Sequence, residues 1–441
     1  MKTLIRNGLV LLRDEQGWKI DKKDVLMDGN RIAGILAPGT DSDGATVIDA
    51  TDHLVMPGLI NAHTHAYMTI HRNFADDLMF FDWLEKVQKV EDGMTEEDVY
   101  WMTMLAIIEM LRSGTTCFVD MTIKSAKEKT GPRSAAAGAA WAAGIRAVIN
   151  RGLAGVSDSE ESIMKYGQAI REMEIFRGED RIIFMHGPHA PYSCMPDYLR
   201  KLTDSCKTHG IRQTIHLSES LAEMEGMEKA HGTTPIQYVN EVGVFEAPTL
   251  AAHCVYATDE DIRIMAEKGV SIAINPKSNM KLGNGFAPVE KFLAAGINVC
   301  LGTDGPGSNN SLNLFQEMNA AALCYKGAER KAQCVSAGDA LKMATVNGAK
   351  AIGMEGELGE IREGALADLI LVNLKEPQFM PGNNLISGLV YSATGSEVDT
   401  VIVDGAVVMR DRKMTVVDEE QVYAECRKIT ERLGMTPAAR A

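Results

Sequence analysis

The sequence predicts an α/β protein built on a (β/α)8 TIM-type barrel, with a small β-sandwich formed by both termini. Eight strand candidates recur through about 300 central residues, and helical stretches separate most of them. Polar side chains also stand at the ends of several of these strands. A doubly wound open sheet is the alternative fold. We favour the closed barrel because it brings all the strand ends to one mouth.

The eight central strand candidates are short apolar runs. They span residues 59–65, 115–121, 146–150, 182–185, 213–217, 250–255, 270–274 and 298–301. One helix between them has clear ends. Thr95 and the acidic residues after it resemble a capping box, apolar residues then recur at helical spacing, and Ser113-Gly114 ends the helix.

Both ends of the chain are rich in short strand candidates. Asp28-Gly29 and Asp404-Gly405 each separate two apolar runs, which is a hairpin signal. Neither end is long enough for a core of its own. We therefore expect residues 1–56 and 365–441 to form one small β-sandwich and residues 57–364 to form the barrel.

Composition excludes several classes of partner. The formal net charge of -15 repels phosphate backbones, so we expect no nucleic acid. No apolar run approaches the roughly 20 residues of a spanning helix, so we expect no membrane contact. The eight cysteines form no C-x-x-C pair, which indicates reduced thiols in a cytoplasmic protein. The sequence leaves open whether the chain forms a homo-oligomer. The tail after about Val422 is expected to fray.

The strongest motif is His63-Thr64-His65 at the end of the first barrel strand. Residues two apart on a strand point to the same side, so both imidazoles can bind one metal ion. His216 and Asp304 stand near the ends of two other strands and complete a set of three histidines and one aspartate. This set suits one divalent ion, Zn2+ first and Fe2+ second, with a position open for water.

One of these ligands and two nearby residues suit hydrolysis. A divalent ion lowers the pKa of bound water towards about 7. Asp304 can accept the proton of that water, and His253 can hold the attacked group or shuttle protons. Glu219, three residues past His216, is placed to protonate a ring nitrogen of the substrate. Lys124 is not placed like a residue that bridges two metals, so we expect one ion per chain.

Each of these residues has a plainer interpretation when taken alone. A histidine on an apolar strand, such as His216, is usually a core residue with its hydrogen bonds satisfied. A carboxylate before a glycine, such as Asp304, is usually part of a turn. Five such residues at successive strand ends are hard to explain by packing, so the joint pattern favours the catalytic interpretation.

At this point the residues resemble a known family. The segment from Pro57 to His65 looks like the first-strand motif of the amidohydrolase superfamily. Within it, the chain is most similar to the 5'-methylthioadenosine/S-adenosylhomocysteine deaminase group, which has triazine hydrolases as relatives. The other supporting segments are 75–78, 83–84, 189–194, 216–219, 275–282 and 302–305. The resemblance implies a mononuclear metal, usually zinc, and removal of an exocyclic amino group as ammonia.

The same resemblance implies residues that bind the substrate. Glu91 matches a glutamate that binds ribose hydroxyls, and His189 matches a residue that contacts the purine. Ser308 matches a small polar residue near the base, and Arg151 matches an arginine at the distal part of the substrate. Trp83 belongs to one of the matching segments and is expected at the site.

The chain departs from the family at two places. Relatives that take S-adenosylhomocysteine carry a second arginine about a dozen residues after the first. Here residues 154–163 contain Asp158, Glu160 and Glu161 and no arginine. We therefore expect adenosine or 5'-methylthioadenosine to be preferred over S-adenosylhomocysteine. Met79 stands where a proline is usual in the family.

The sequence thus predicts a metal-dependent aminohydrolase that deaminates adenosine, 5'-methylthioadenosine or S-adenosylhomocysteine. The alternatives within this class are a pterin, a guanine-like base or an s-triazine. Glu91 favours a nucleoside, since it has no obvious task on a bare ring. Outside this class stand an ester or lactone hydrolase, which would not need Glu219 as an acid, and a non-catalytic barrel scaffold, which would not need the ligand set.

Overall fold

A computed structural model gives the fold, and it describes residues 2–40, 44–122 and 135–435. Lys124 and the last six residues of the chain lie outside the described residues. The strands are β1 Lys2–Arg6, β2 Leu9–Asp14, β3 Gly17–Lys22, β4 Asp24–Asp28, β5 Arg31–Leu36, β6 Thr46–Asp49, β7 His53–Pro57, β8 Leu59–Thr64, β9 Thr115–Thr122, β10 Arg146–Leu153, β11 Ile182–Pro188, β12 Arg212–Leu217, β13 Thr249–His253, β14 Ser271–Ile274, β15 Asn298–Leu301, β16 Leu369–Asn373, β17 Val398–Val403, β18 Ala406–Arg410 and β19 Lys413–Met414.

Helices follow most of the central strands, as expected for a barrel. The α-helices are α1 Phe80–Glu91, α2 Glu96–Arg112, α3 Ala135–Ala143, α4 Glu160–Ile175, α5 Pro196–His209, α6 Leu221–His231, α7 Pro235–Val242, α8 Asp259–Lys268, α9 Pro276–Lys281, α10 Val289–Ala294, α11 Pro306–Asn309, α12 Leu314–Glu329, α13 Ala337–Met343, α14 Val346–Ala351, α15 Leu385–Ser387 and α16 Glu419–Arg432. Short 3-10 helices span Ala66–His71, Val244–Glu246 and Pro377–Phe379, and a π-helix spans Gly388–Ser392.

The eight central strands, β8 to β15, form one sheet in chain order, and every neighbouring pair is parallel. The backbone N–H of Asp304 donates to the carbonyl oxygen of His63 at 2.9 Å, which joins the end of the last strand to the first. The predicted barrel is confirmed. Because a parallel barrel gathers the C-terminal ends of its strands at one face, the polar residues that follow those strands meet there.

Two further sheets combine both ends of the chain. One has four strands in the order β5-β4-β1-β6, and the other has seven in the order β19-β18-β17-β16-β7-β2-β3. Apolar side chains from both sheets, including Ile5, Met27, Val55 and Leu371, share one buried cluster. Both predicted hairpins, β4–β5 and β17–β18, are present. The expected β-sandwich is therefore confirmed.

The helix predicted after Thr95 is α2, and its capping box is present. Thr95 Oγ1 accepts from the backbone N–H of Asp98, and the Asp98 side chain accepts from that of Thr95. The expectation for the tail after Val422 was wrong up to residue 432. Val422, Cys426 and Ile429 are buried along one face of α16, because their spacing of four and three residues matches the helical repeat.

A buried ion-pair cluster connects the barrel to the sandwich. Arg146 opens β10, its side chain is fully buried, and its guanidinium donates to both carboxylate oxygens of Asp368 at 2.9 and 3.1 Å. It also donates to Asp404 at 3.0 Å. None of the helices in the described part of the chain has the length and apolar content that crossing a membrane requires.

Candidate active site

The barrel brings the predicted ligands together at its mouth. His63 lies on β8 and His65 directly follows it, His216 lies on β12, and Asp304 lies three residues past β15. His253 ends β13 with a backbone φ of 73°, and Asp304 has a φ of 60°. These left-handed conformations are costly for residues other than glycine, and such strain concentrates at functional sites.

The ligand atoms are close enough to share one ion. The Nε2 atoms of His65 and His216 are 3.2 Å apart. Asp304 Oδ1 lies 3.6 Å from His63 Nε2 and 3.5 Å from His65 Nε2. Three sets of candidate ligand atoms each lie within 4.8 Å of one another: His63, His65 and Asp304; His63, His216 and His253; and Glu219, His253 and Asp304.

The surroundings of these side chains suit a cation. Both ring nitrogens of His63 are buried and have no hydrogen-bond partner among the described residues, which is costly without a ligand. Nδ1 of His65 donates to the carbonyl oxygen of Met121 at 2.6 Å, and Nδ1 of His216 donates to that of His189 at 2.7 Å. These bonds leave each Nε2 free to face the shared centre, as in known metal sites.

The charge states of the ligands also suit a divalent ion. Burial lowers the pKa of His63 to about 4, so its imidazole is neutral, which is the form that binds metals. Asp304 Oδ2 accepts hydrogen bonds from the hydroxyls of Ser278 and Ser308, at 2.6 and 2.7 Å. Oδ1 is the carboxylate oxygen that faces the histidines. The residues present therefore fit one such ion.

Glu219 and His253 stand beside this ligand set. Glu219 Oε2 lies 3.7 Å from His253 Nε2, and His253 Nδ1 donates to Asn279 Oδ1 at 2.9 Å. Burial and the nearby charges of Asp304 and Glu223 raise the pKa of Glu219 well above its ordinary value. A carboxyl with a raised pKa keeps its proton near neutral pH, so Glu219 can act as a proton donor.

A cavity of about 210 Å3 opens onto the ligand set. Glu91 and His189 line it, as the resemblance implied. Glu91 is buried and accepts from the Tyr67 hydroxyl at 2.9 Å. Trp83 also lines the cavity, and its indole N–H donates to the carbonyl oxygen of Gly307 at 3.1 Å, which fixes the ring in the wall.

Two residues expected at the substrate do not line this cavity. Arg151 is held in a bidentate pair with Glu172, at 2.8 and 2.7 Å. Successive side chains on a strand point to opposite sides, so Gly152 lines the cavity and Arg151 points away from it. The Ser308 hydroxyl is buried and donates to Asp304 Oδ2, so it positions that carboxylate.

Sequence reasoning missed Lys165, which lies on α4 and lines the cavity. Its side chain is 15% exposed and pairs at 2.7 Å with Glu161, whose side chain is 68% exposed. The acidic residues of this segment, Asp158, Glu160 and Glu161, are exposed and do not line the cavity. The available signal was the position of Lys165 in the second turn of a helix that follows a barrel strand, since those helices begin near the catalytic face.

A (β/α)8 barrel that gathers histidines and carboxylates at its strand ends defines a class of metal-binding hydrolases. Comparison with known sequences identifies the family within this class. The amidohydrolase family model matches residues 54–408, and the chain belongs to that family.

Relatives with assigned activities match nearly the whole chain. A 5-methylthioadenosine/S-adenosylhomocysteine deaminase of Caldanaerobacter subterraneus subsp. tengcongensis is 45% identical over 443 residues, covering 98% of this chain and 99% of the relative. A 5'-deoxyadenosine deaminase of Methanosarcina mazei is 41% identical, with 98% of both chains covered. Among solved structures, an adenosine deaminase from Xanthomonas campestris with bound zinc has a TM-score of 0.91 and 28% identity, covering 98% of this chain and 99% of its own.

Proposed function

We propose that this protein is a metal-dependent aminohydrolase that removes the amino group of an adenosine-type nucleoside as ammonia. The observation that carries the proposal is the buried Glu219 beside the histidine and aspartate cluster, in the same cavity as the buried Glu91. The relatives support it, because those with 41–45% identity include deaminases of 5-methylthioadenosine, S-adenosylhomocysteine and 5'-deoxyadenosine.

We propose that His63, His65, His216 and Asp304 hold one Zn2+ per chain. The ion supplies water of lowered pKa, so that a nucleophile is available near neutral pH. Asp304 would accept the proton of the attacking water through Oδ1 and pass it to the departing amino group, which leaves as ammonia, while Ser278 and Ser308 hold its other oxygen. Glu219 would give its proton to a ring nitrogen, and His253, whose Nε2 lies 3.7 Å from Glu219 Oε2, would hold the attacked group or shuttle protons.

Glu91 is the residue that favours a nucleoside over a bare ring as the substrate. It is a buried carboxylate in the cavity wall, and a ribose diol offers two hydroxyl donors to it. A guanine-like base, a pterin or an s-triazine leaves those bonds unmade, at a cost of about 1–3 kcal/mol. These heterocycles are the second candidate substrate class.

Ammonia release from a panel of nucleosides and free bases tests this proposal, together with metal analysis. We expect about one zinc ion per chain, no turnover after chelation, and faster turnover of adenosine than of adenine. Glu91→Ala should narrow that difference, whereas Glu85→Ala, an exposed position on the same helix, should leave it unchanged. Faster turnover of free bases or triazines than of every nucleoside would contradict the adenosine assignment, and two ions per chain would contradict the mononuclear one.

The remaining expectations concern partners and location. We propose a small-molecule substrate, no nucleic-acid partner and a cytoplasmic location, on the acidic net charge and the cysteine pattern. Whether the chain forms a homo-oligomer stays open.

A further inference from the structure

A second cavity, of about 470 Å3, lies away from the ligand set and is lined by three arginines. Arg72 follows the 3-10 helix that begins after His65, Arg112 ends α2, and Arg412 lies between β18 and β19. We call it the arginine cavity. Its volume falls in the range of small-molecule sites, about 300–1,000 Å3.

Each guanidinium has donors that the protein leaves unused. Arg72 donates through one terminal nitrogen to Glu109, and Arg112 donates through Nε and one terminal nitrogen to Glu419. Arg412 donates through one terminal nitrogen to carbonyl oxygens, including those of Ser396 at 2.6 Å and Val398 at 2.7 Å. A guanidinium carries five N–H donors. Each of these arginines therefore retains at least two N–H groups without a partner among the described residues.

The lining of the cavity is positively charged in a protein whose net charge is -15. It contains three arginines and one carboxylate, that of Glu109, while Glu397, Asp399 and Glu419 act on Arg412 from outside the lining. Burial, and after it repulsion by the Arg112 charge, lower the pKa of Arg412, whereas the charges of Glu397, Asp399 and Glu419 act to raise it. A bound anion would relieve that repulsion. The carbonyl oxygen of Arg112 at the end of α2 accepts from Arg412, which offsets the negative end of that helix.

Hydroxyl and amide groups complete the wall. Ser113, Ser311, Tyr423 and Asn313 line the cavity beside the arginines. The Ser113 hydroxyl donates to the carbonyl oxygens of Glu109 and Met110, and the Tyr423 hydroxyl donates to Glu419, so the further donors for an oxyanion are Ser311 and the second amide N–H of Asn313. Arginine forks match the geometry of phosphate and carboxylate oxygens. A phosphate carries about -1.5 to -2 charges at neutral pH, whereas a simple carboxylate carries one. Three guanidiniums therefore favour phosphate over a carboxylate as the bound anion.

We propose that the arginine cavity binds a phosphate group, either free inorganic phosphate or the phosphate of a small phosphomonoester. The cavity holds many times the roughly 30 Å3 of one water molecule, so it has room for an organic portion as well.

Calorimetric titration of the zinc-loaded protein at constant ionic strength tests this inference. The probes are inorganic phosphate, glycerol 2-phosphate and acetate. We expect one phosphate site per chain, weakened at least tenfold in Arg72→Gln and in Arg112→Gln. Arg263→Gln is the matched control, since Arg263 is an exposed arginine paired with Glu260 and Glu267, and it should bind like the unmodified protein. Tighter binding of glycerol 2-phosphate than of inorganic phosphate would assign the site to a phosphomonoester, and the reverse would assign it to the free ion.

Gln316→Glu is a second variant that removes no arginine. Gln316 is exposed, lines the cavity and accepts from Lys277, a bond that a glutamate keeps. The added negative charge should weaken phosphate binding while the thermal midpoint stays unchanged. Three outcomes would overturn the inference: no phosphate binding, acetate binding as tight as phosphate binding, or equal phosphate affinity in all four variants, which would place the anion elsewhere, for example at the metal.

Discussion

At the scale of single residues, Glu219 combines burial with a position beside His253. Glu219→Gln keeps the shape of the side chain but removes the transferable proton. We expect the variant to keep its fold and metal content and to lose roughly 10²-fold or more in turnover. Steady-state deamination and metal analysis would measure this, with Glu225→Gln on the following helix, α6, as an exposed control. Activity close to that of the unmodified protein would place the general acid elsewhere.

Lys165 changes the expectation for substrates that carry a carboxylate. The acidic residues of this segment are exposed, while Lys165 lines the cavity, so the repulsion inferred from the sequence does not face the substrate. A charge-assisted bond to an anionic tail offsets the desolvation of both groups. We expect Lys165→Met to lower kcat/KM for S-adenosylhomocysteine about tenfold or more and to change that for 5'-methylthioadenosine less than twofold.

A matched control exists for Lys165. Lys89 pairs with Glu85 at the same i,i+4 spacing, and both side chains are 70% exposed. Lys89→Met should leave both kcat/KM values unchanged. An equal loss for both substrates in Lys165→Met would mean that the lysine supports the fold and not the tail.

The candidate ligands could be predicted from the sequence because each follows a strand of a parallel barrel. The barrel then brings these ligands together at its C-terminal face. The pairing of Arg151 with Glu172 could not be predicted, because it depends on how α4 packs against β10. The cavity position of Lys165 has the same cause. The position of a residue at the end of a barrel strand fixes the direction of its side chain. The packing of the helices decides which helical side chains reach the mouth of the barrel.

At the scale of elements, α12 is tied to two neighbouring helices by one buried acid. Glu317 accepts from Asn309 of α11 at 2.7 Å and from the backbone N–H of Lys277 of α9 at 3.3 Å. Burial raises the pKa of Glu317 to about 7 from its ordinary 4.5. Its protonated form is therefore the one that the folded state favours.

This raised pKa makes stability depend on pH. Because the folded-state pKa lies above the unfolded-state value, the contribution is fully present below about pH 4.5 and is lost as pH rises through 7. Between pH 5 and 8 the loss amounts to about 2–3 kcal/mol. Glu317→Gln should flatten the pH dependence of urea unfolding over this range. A dependence as steep as that of the unmodified protein would show that Glu317 ionises normally.

The presence of the eight central strands was easier to predict than the conformation of the C-terminal segment. The eight central strands are apolar runs bounded by helical stretches, so packing and local pattern agree. The segment after Val422 is mostly polar, and α16 has one apolar face, which packs against α2. A short amphipathic pattern near a terminus does not reveal by itself whether a partner surface exists.

At the scale of the whole molecule, Arg146 joins two layers that meet at the base of the barrel. Removing its charge leaves Asp368 buried without its main partner. Loss of one member of a buried pair costs about 3–5 kcal/mol. We expect Arg146→Leu to lower the free energy of unfolding by that amount, as measured in urea. Arg263→Leu, at an exposed position, should change it by less than about 0.5 kcal/mol. A small effect of Arg146→Leu would mean that the two layers hold together without this cluster.

The exact division of the chain stays a prediction. The sequence placed residues 57–364 in the barrel, and the sheets agree with that division in outline. Strand β7, which belongs to the sandwich sheet, is followed by β8 of the barrel after a single residue, Gly58. The two layers are therefore joined by almost no linker at this point.

The pairing of β7 with β16 has a consequence for how the protein is made. Pro57 and Leu369 are direct partners in the ladder, although about 310 positions separate them. A ribosome adding about 5–20 residues per second needs roughly 15–60 s to cover that interval. Throughout this time one edge of β7 is unpaired, and exposed strand edges can pair with other chains and aggregate. We therefore expect this edge of β7 to stay exposed in the nascent chain until Leu369 has emerged from the ribosome.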